Sequence, residues 1–103
     1  MVPPNPPDPG TTDNRWPRVG RLFRLQWETA QNAWVLLYPE GLIKLNGSAA
    51  EILRRCDGSR SADEIIAELQ AAFPAAPVAT EVPAFLRLAA EKGWIEWLAG
   101  PMS

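Results

Sequence analysis

The chain has 103 residues, with ten Lys and Arg, twelve Asp and Glu, no His and a formal net charge of -2. This length suits one domain with a core of modest size, and the charge balance disfavours nucleic acid as the main partner because non-specific affinity for phosphates is largely cationic. Cys56 is the one thiol and the chain has no imidazole, so it lacks the side chains that usually bind a metal or activate a nucleophile. We therefore expect that the chain is not an enzyme and that it binds neither a cofactor nor a metal.

The sequence contains neither a leader pattern nor an apolar run long enough to span a membrane. A single cysteine cannot form an internal disulfide. These features predict a cytoplasmic protein without membrane contact. Because Cys56 follows Ala49, Ile52 and Leu53 at helical spacing, a buried packing role is favoured for it over a reactive one.

Residues 1–19 hold six of the eleven prolines and few residues that could form a core. This composition is typical of a disordered or polyproline-like arm, either a solubilising tail or a ligand for an aromatic-lined groove. The chain is therefore divided into an arm over 1–19, a domain over 20–98 and a flexible tail over 99–103.

Three strands are predicted next. Apolar residues alternate over 21–27, as in a half-buried strand, and the apolar run 33–38 suits a central strand. Pro39 and Gly41 occupy favourable positions of a type I turn that leads into a short strand over 42–45. The result is an antiparallel meander with its third strand at an edge.

Two Ser–Glu pairs with capping-box spacing predict helix starts at Ser48 and Ser61. Gly58 is suited to end the first helix in a left-handed conformation. The second helix is expected to reach about Phe73. A third helix is predicted over 80–92, followed by Gly93 as its cap.

The apolar residues of the third helix exceed what one contact can bury. Leu86 and Ala89 are expected to face the core, while Phe85, Leu88 and Lys92 share a flank at 100° per residue. Residues 94–98 are expected to pack back on the sheet as a short strand or extended segment. The predicted fold class is α+β, with a three-stranded antiparallel sheet followed by three helices in a winged-helix-like arrangement.

Several segments of the sequence resemble the PqqD family, over residues 21–95. They read RLQWE, AWVLLYPEG, KLNGSAAEILRRCDG, IIAELQAAF and FLRLAAEKGWI. The resemblance implies a recognition element for a ribosomally made peptide in pyrroloquinoline quinone (PQQ) biosynthesis. It implies that the chain binds the precursor peptide PqqA and presents it to PqqE, a radical S-adenosylmethionine enzyme. It also implies that the peptide adds as a strand beside the third strand, in a groove against the third helix.

A short edge strand beside a helix with spare apolar surface is independently a site for strand addition. The predicted peptide-binding residues are Leu42, Ile43, Lys44, Leu45, Phe85, Leu88 and Lys92. Arg54 and Arg55 either complement the dipole of the first helix or contact the partner enzyme.

The alternative function is DNA binding as a winged-helix protein, because three helices and a small sheet can place a helix in the major groove. In the third helix, however, Arg87 and Lys92 are balanced by Glu81 and Glu91. Both a monomer and a homodimer are compatible with the exposed strand edges.

Overall fold

The computed structural model describes residues 15–99, which form two antiparallel sheets and three helices. In chain order the elements are β1 (Trp16–Val19), β2 (Arg24–Glu28), β3 (Ala33–Tyr38), β4 (Gly41–Lys44), α1 (Gly47–Leu53), α2 (Ala62–Ala72), α3 (Val78–Glu91) and β5 (Ile95–Leu98). The predicted α+β class is confirmed. None of the helices in this part of the chain has the length and apolar character needed to cross a membrane.

The three-stranded sheet has the order β2-β3-β4, so the predicted meander is confirmed and β4 lies at an edge. Leu36 of β3 pairs with Leu25 of β2 and with Ile43 of β4. Paired residues share a face of an antiparallel sheet, and Leu36 is fully buried in the core cluster. This face of the sheet is therefore the one that packs against the helices.

The second sheet corrects the predicted domain boundary, because Trp16–Val19 pair with Ile95–Leu98 instead of belonging to an arm. Arg18 and Glu96 form an ion pair of 2.9 Å across these strands, and Val19 N–H donates to the Cys56 carbonyl over 3.0 Å. The C-terminal apolar segment forms a strand as expected, but it pairs with β1 and not with the meander. Residues 1–14 of the predicted arm and 100–103 of the predicted tail lie outside the described residues.

Helix α1 begins earlier than predicted, because Asn46 and not Ser48 is its N-cap. The Asn46 side-chain oxygen accepts from the backbone N–H of Ala49 over 2.8 Å. Glu51 pairs with arginines at the end of the helix instead of returning to cap its start. Helix α1 also ends earlier, at Leu53, so the prediction that Gly58 caps it is wrong.

The start of α2 and the end of α3 agree with the sequence. Ser61 and Glu64 form a complete capping box, with bonds of 3.1 and 2.8 Å. Helix α3 begins at Val78, two residues before its predicted start. Gly93 follows α3 with φ +79°, the left-handed conformation for which glycine is preferred at this position.

The core lies between the three helices and the three-stranded sheet. Its most deeply buried members include Leu36, Leu53, Ile65, Val82 and Leu86. Cys56 is 2% exposed, and its Sγ lies 3.3 Å from the Ile52 carbonyl oxygen, to which it can donate. Burial raises the pKa of the Cys56 thiol to about 12. The predicted packing role of Cys56 agrees with this environment.

Candidate functional site

The open edge of the three-stranded sheet is formed by β4, which has a strand neighbour on one side in the described part of the chain. Leu45 N–H donates to the Trp34 carbonyl over 3.0 Å. Hydrogen-bonded and non-hydrogen-bonded pairs alternate along an antiparallel ladder. Ile43 therefore directs its main-chain groups toward β3, while Leu42 and Lys44 direct theirs outward, where a further strand could bind them.

A cleft of about 430 Å³ lies between β4 and α3, and we call it the groove. One wall is formed by Ile43, Lys44 and Leu45 and the other by Phe85 and Leu88. Leu88 is 42% exposed although it is a large apolar residue. The groove thus offers apolar surface directly beside the outward-facing backbone of β4.

Helix α3 has the two faces that the sequence predicts. Leu86 and Ala89 are buried in the core, at 2% and 0% exposure. Phe85 is half-buried, and it lines the groove with Leu88. A single helix therefore supports the core with one face and the groove with its flank.

Two of the predicted peptide-binding residues do not line the groove. Leu42 is on the opposite face of β4 from Ile43 and is 43% exposed, so it can contribute main-chain bonds but no groove contact. Lys92 is exposed just beyond the last residue of α3. Its Nζ lies 5.9 Å from the ring centroid of Trp94, which does line the groove. The role of all seven residues in binding remains a prediction.

Trp94 is the main groove residue that the sequence reasoning missed. Its ring centroid lies 6.2 Å from that of Phe85, so the two aromatic side chains form one apolar surface. The sequence could have indicated Trp94 by its position directly after Gly93, where the chain turns at the end of α3. Other lining residues outside the prediction are Asn46, Ser48, Ala49, Ile52 and Glu81.

The groove carries charges of both signs. Glu81 projects from the first turn of α3 and lines the groove, Lys92 lies over Trp94, and the side chain of Lys44 extends from the same face of β4 as Leu42, beside the open edge. Within residues 15–99, neither Lys44 nor Glu81 takes part in an ion pair. These two charges are therefore available to an extended guest.

The two arginines predicted as a partner contact have different surroundings. Arg55 donates to the Glu51 carbonyl and carboxylate, each over 2.8 Å, and to Glu68 over 3.2 Å. This side chain joins α1 to α2. Arg54 is more exposed, and its guanidinium carbon lies 5.1 Å from the ring centroid of Trp34.

Glu68 receives both Arg55 and Arg60, at 3.2 and 2.6 Å. The hydrogen bond from Arg60 is the largest cause that lowers the pKa of the Glu68 carboxyl. No group of three or more His, Cys, Asp or Glu side chains within residues 15–99 is placed to hold a metal ion. The charged groups on this side of the molecule thus connect structural elements.

The open edge and adjacent groove define a class of domain that can accept an extended segment as an additional strand, with main-chain bonds for affinity and side-chain pockets for specificity. The family model for Coenzyme PQQ synthesis protein D (PqqD) matches residues 33–95. The chain belongs to the PqqD family.

Relatives with the name PqqA binding protein are similar to most of the chain. The protein from Stutzerimonas stutzeri is 53% identical over 81 residues, covering 78% of this chain and 88% of its own length. That from Azotobacter vinelandii is 52% identical over 87 residues, covering 84% and 95%.

One solved structure is similar in fold. It is the solution NMR structure of the PqqD truncation of Methylobacterium extorquens PqqCD, described as a functional, stand-alone recognition element for ribosomally synthesised and post-translationally modified peptides. The TM-score is 0.58 at 30% sequence identity, and the match covers 78% of this chain and 87% of that one. The winged-helix-like prediction is thus realised as the fold of this recognition element.

Proposed function

We propose that this protein binds the precursor peptide PqqA as an additional strand on β4 and presents it to the radical S-adenosylmethionine enzyme PqqE in PQQ biosynthesis. The observation that carries the proposal is the outward orientation of Leu42 and Lys44 main-chain groups beside an apolar groove. The names of the relatives support PqqA as the guest, and the description of the similar structure supports a ribosomally made peptide.

Strand addition suits a protein that carries a peptide to another enzyme. A guest strand pairs with β4 along one of its edges, so its second edge and its flanking residues remain exposed to the enzyme. Leu42 and Lys44 together offer two N–H and two C=O groups, each bond contributing on the order of 1 kcal/mol. Such an interaction is reversible, and we assign the chemistry to PqqE and a binding role to this chain.

Further parts of the proposal concern location and the enzyme contact. Because PqqA is made on ribosomes, we place the encounter in the cytoplasm. Arg54 is the better candidate of the two arginines for contacting PqqE, because it is more exposed and has one ion pair of 3.5 Å with Glu51, whereas Arg55 pairs more closely with both Glu51 and Glu68. We do not extend the proposal to DNA, since the exposed charges of α3 include Glu81 and Glu91 beside Arg87.

A reconstituted reaction tests the proposal. PqqE and PqqA are incubated with S-adenosylmethionine and a chemical reductant, without the chain or with wild type, Lys44→Pro or Lys44→Ala, and modified PqqA is measured by mass spectrometry. Wild type and Lys44→Ala should promote modification, because both retain the outward N–H, and Lys44→Pro should not. The proposal would be contradicted if the amount of modified PqqA were the same with and without the chain, or the same with Lys44→Pro as with Lys44→Ala.

A further inference from the structure

A second apolar pocket, of about 280 Å³, lies among the three helices next to the groove. Its floor is formed by Ile52, Leu69 and Val82, which are 4%, 3% and 2% exposed. Phe73 forms a wall and is 44% exposed. We call this the helical pocket.

The wall of the helical pocket is held in place by the loop after α2. Phe73 is the C-cap residue of α2. The Gln70 side-chain amide donates to the carbonyls of Pro74 and Ala76 over 3.2 and 3.3 Å. These bonds hold the loop that directly follows Phe73, whose ring borders the pocket.

The size and charge of the pocket indicate its occupant. A volume of about 280 Å³ lies at the lower end of the range for small-molecule sites, about 300–1,000 Å³, and it has room for one large apolar side chain. Two carboxylates stand among the lining residues. Glu51 is neutralised by Arg54 and Arg55, whereas Glu81 has no ion pair within residues 15–99.

The helical pocket adjoins the groove, because Ser48, Ile52 and Glu81 line both. The chain passes from β4 directly into α1, whose first residue, Gly47, also lines the pocket. A Cβ added at Gly47 would meet no atom within 4 Å, so this position leaves open space. A guest strand that pairs with β4 and continues past Leu45 would therefore reach the helical pocket.

We propose that the flank of the bound peptide beyond Leu45 inserts one large apolar side chain into the helical pocket and places a basic residue against Glu81. The inference rests on the proposed function and extends it to a second contact outside the added strand. The apolar side chain would bury the exposed surface of Phe73, and the basic residue would compensate the unpaired carboxylate.

The test uses the full-length chain and synthetic PqqA of Stutzerimonas stutzeri, both intact and shortened stepwise from either end. Phe73→Ala and Leu88→Ala form a matched pair, because the two side chains are 44% and 42% exposed in the wild type. Calorimetric titration gives the affinity of each variant for each peptide. Circular dichroism and sedimentation confirm folding and report the oligomeric state.

We expect Phe73→Ala to weaken intact PqqA about tenfold, equal to about 1.4 kcal/mol. One of the end-truncated peptides should lack the inserted side chain, and that peptide should bind to Phe73→Ala as tightly as it binds to the wild type. Glu81→Gln should weaken intact PqqA and reduce the salt dependence of binding, with a smaller effect on that truncated peptide. Leu88→Ala should weaken both peptides.

Wild-type affinity of Phe73→Ala for intact PqqA, or an equal loss for every truncated peptide, would overturn the second contact. A Phe73→Ala variant that differs from the wild type in oligomeric state but not in peptide affinity would also overturn the second contact. In that case a second copy of the chain would cover the helical pocket. Failure of the proposed function gives a different pattern: neither Leu88→Ala nor Lys44→Pro alters peptide binding, or no peptide binds to the wild type.

Discussion

Leu45 donates its backbone N–H to the carbonyl of Trp34 over 3.0 Å, and this bond sets the phase of the whole β3–β4 ladder. The alternation of antiparallel pairs then assigns the main-chain groups of Leu42 and Lys44 to the open edge and those of Ile43 to β3. Neighbouring positions on one strand therefore bond in opposite directions, so mutations can distinguish the bonds within the sheet from those offered to a guest.

Proline at these two neighbouring positions should fail in different ways. Lys44→Pro removes an outward N–H and leaves the sheet bonds intact, so it should fold normally and lose most peptide affinity. Ile43→Pro removes a bond to β3 and should destabilise the free domain by about 1–3 kcal/mol. Urea melts and calorimetric titration measure the two effects. Normal binding by both folded variants would exclude strand addition at β4.

The flank and the buried face of α3 should be equally distinguishable. Leu88→Ala should weaken the PqqA complex by about 1–2 kcal/mol with little change in stability, because its side chain is exposed in the free domain. Leu86→Ala should cost about 2–4 kcal/mol of stability through a core cavity. Equal destabilisation by both, with unaltered binding, would place Leu88 in the core.

Cys56 should behave as an inert core residue. Its thiol, with a pKa raised to about 12 by burial, should react with iodoacetamide at pH 8 far more slowly in the native chain than in urea. Cys56→Ala should cost roughly 1 kcal/mol of stability and retain PqqA binding. Loss of binding by a stably folded Cys56→Ala variant would instead indicate a functional thiol.

Two N-terminal deletions should have opposite outcomes. Deleting residues 2–14 should leave the thermal midpoint and PqqA affinity nearly unchanged, because this Pro-rich segment offers little apolar surface to bury. Deleting residues 2–19 also removes β1, its pairing with β5 and the bond from Val19 to Cys56. The longer deletion should lower the midpoint by several degrees. Equal midpoints for the two deletions would mean that β1 contributes nothing to stability.

Local sequence patterns were sufficient for most of the fold. Alternation in 21–27 indicated β2, although the strand begins three residues later, at Arg24. The turn containing Pro39, the capping box at Ser61 and the glycine after α3 each depend on contacts within a few residues. The flank of α3 could also be predicted, because helical geometry places Phe85 and Leu88 on one side. These features needed no knowledge of distant partners.

The features that were missed depend on distant residues or on competition between similar signals. Strand β1 contains Pro17 and has its partner, β5, almost eighty residues away, so no local pattern revealed it. Asn46 and Ser48 are both suitable N-caps, and Asn46 is the one whose side chain reaches the Ala49 N–H. Phe73 ends α2 where the sequence predicts, but its exposed position beside the helical pocket depends on the loop that follows the helix.

Hydrogen exchange at the β4 amides tests the central claim most directly. The ¹⁵N-labelled full-length chain is measured by NMR with and without saturating PqqA of Stutzerimonas stutzeri. Exchange at Leu42 and Lys44 should slow strongly on binding, because their outward N–H groups gain acceptors, while Ile43 should be protected in both states. The opposite edge, β2, serves as the internal control and should not change. Unchanged exchange at Leu42 and Lys44, with new protection along β2, would contradict the account.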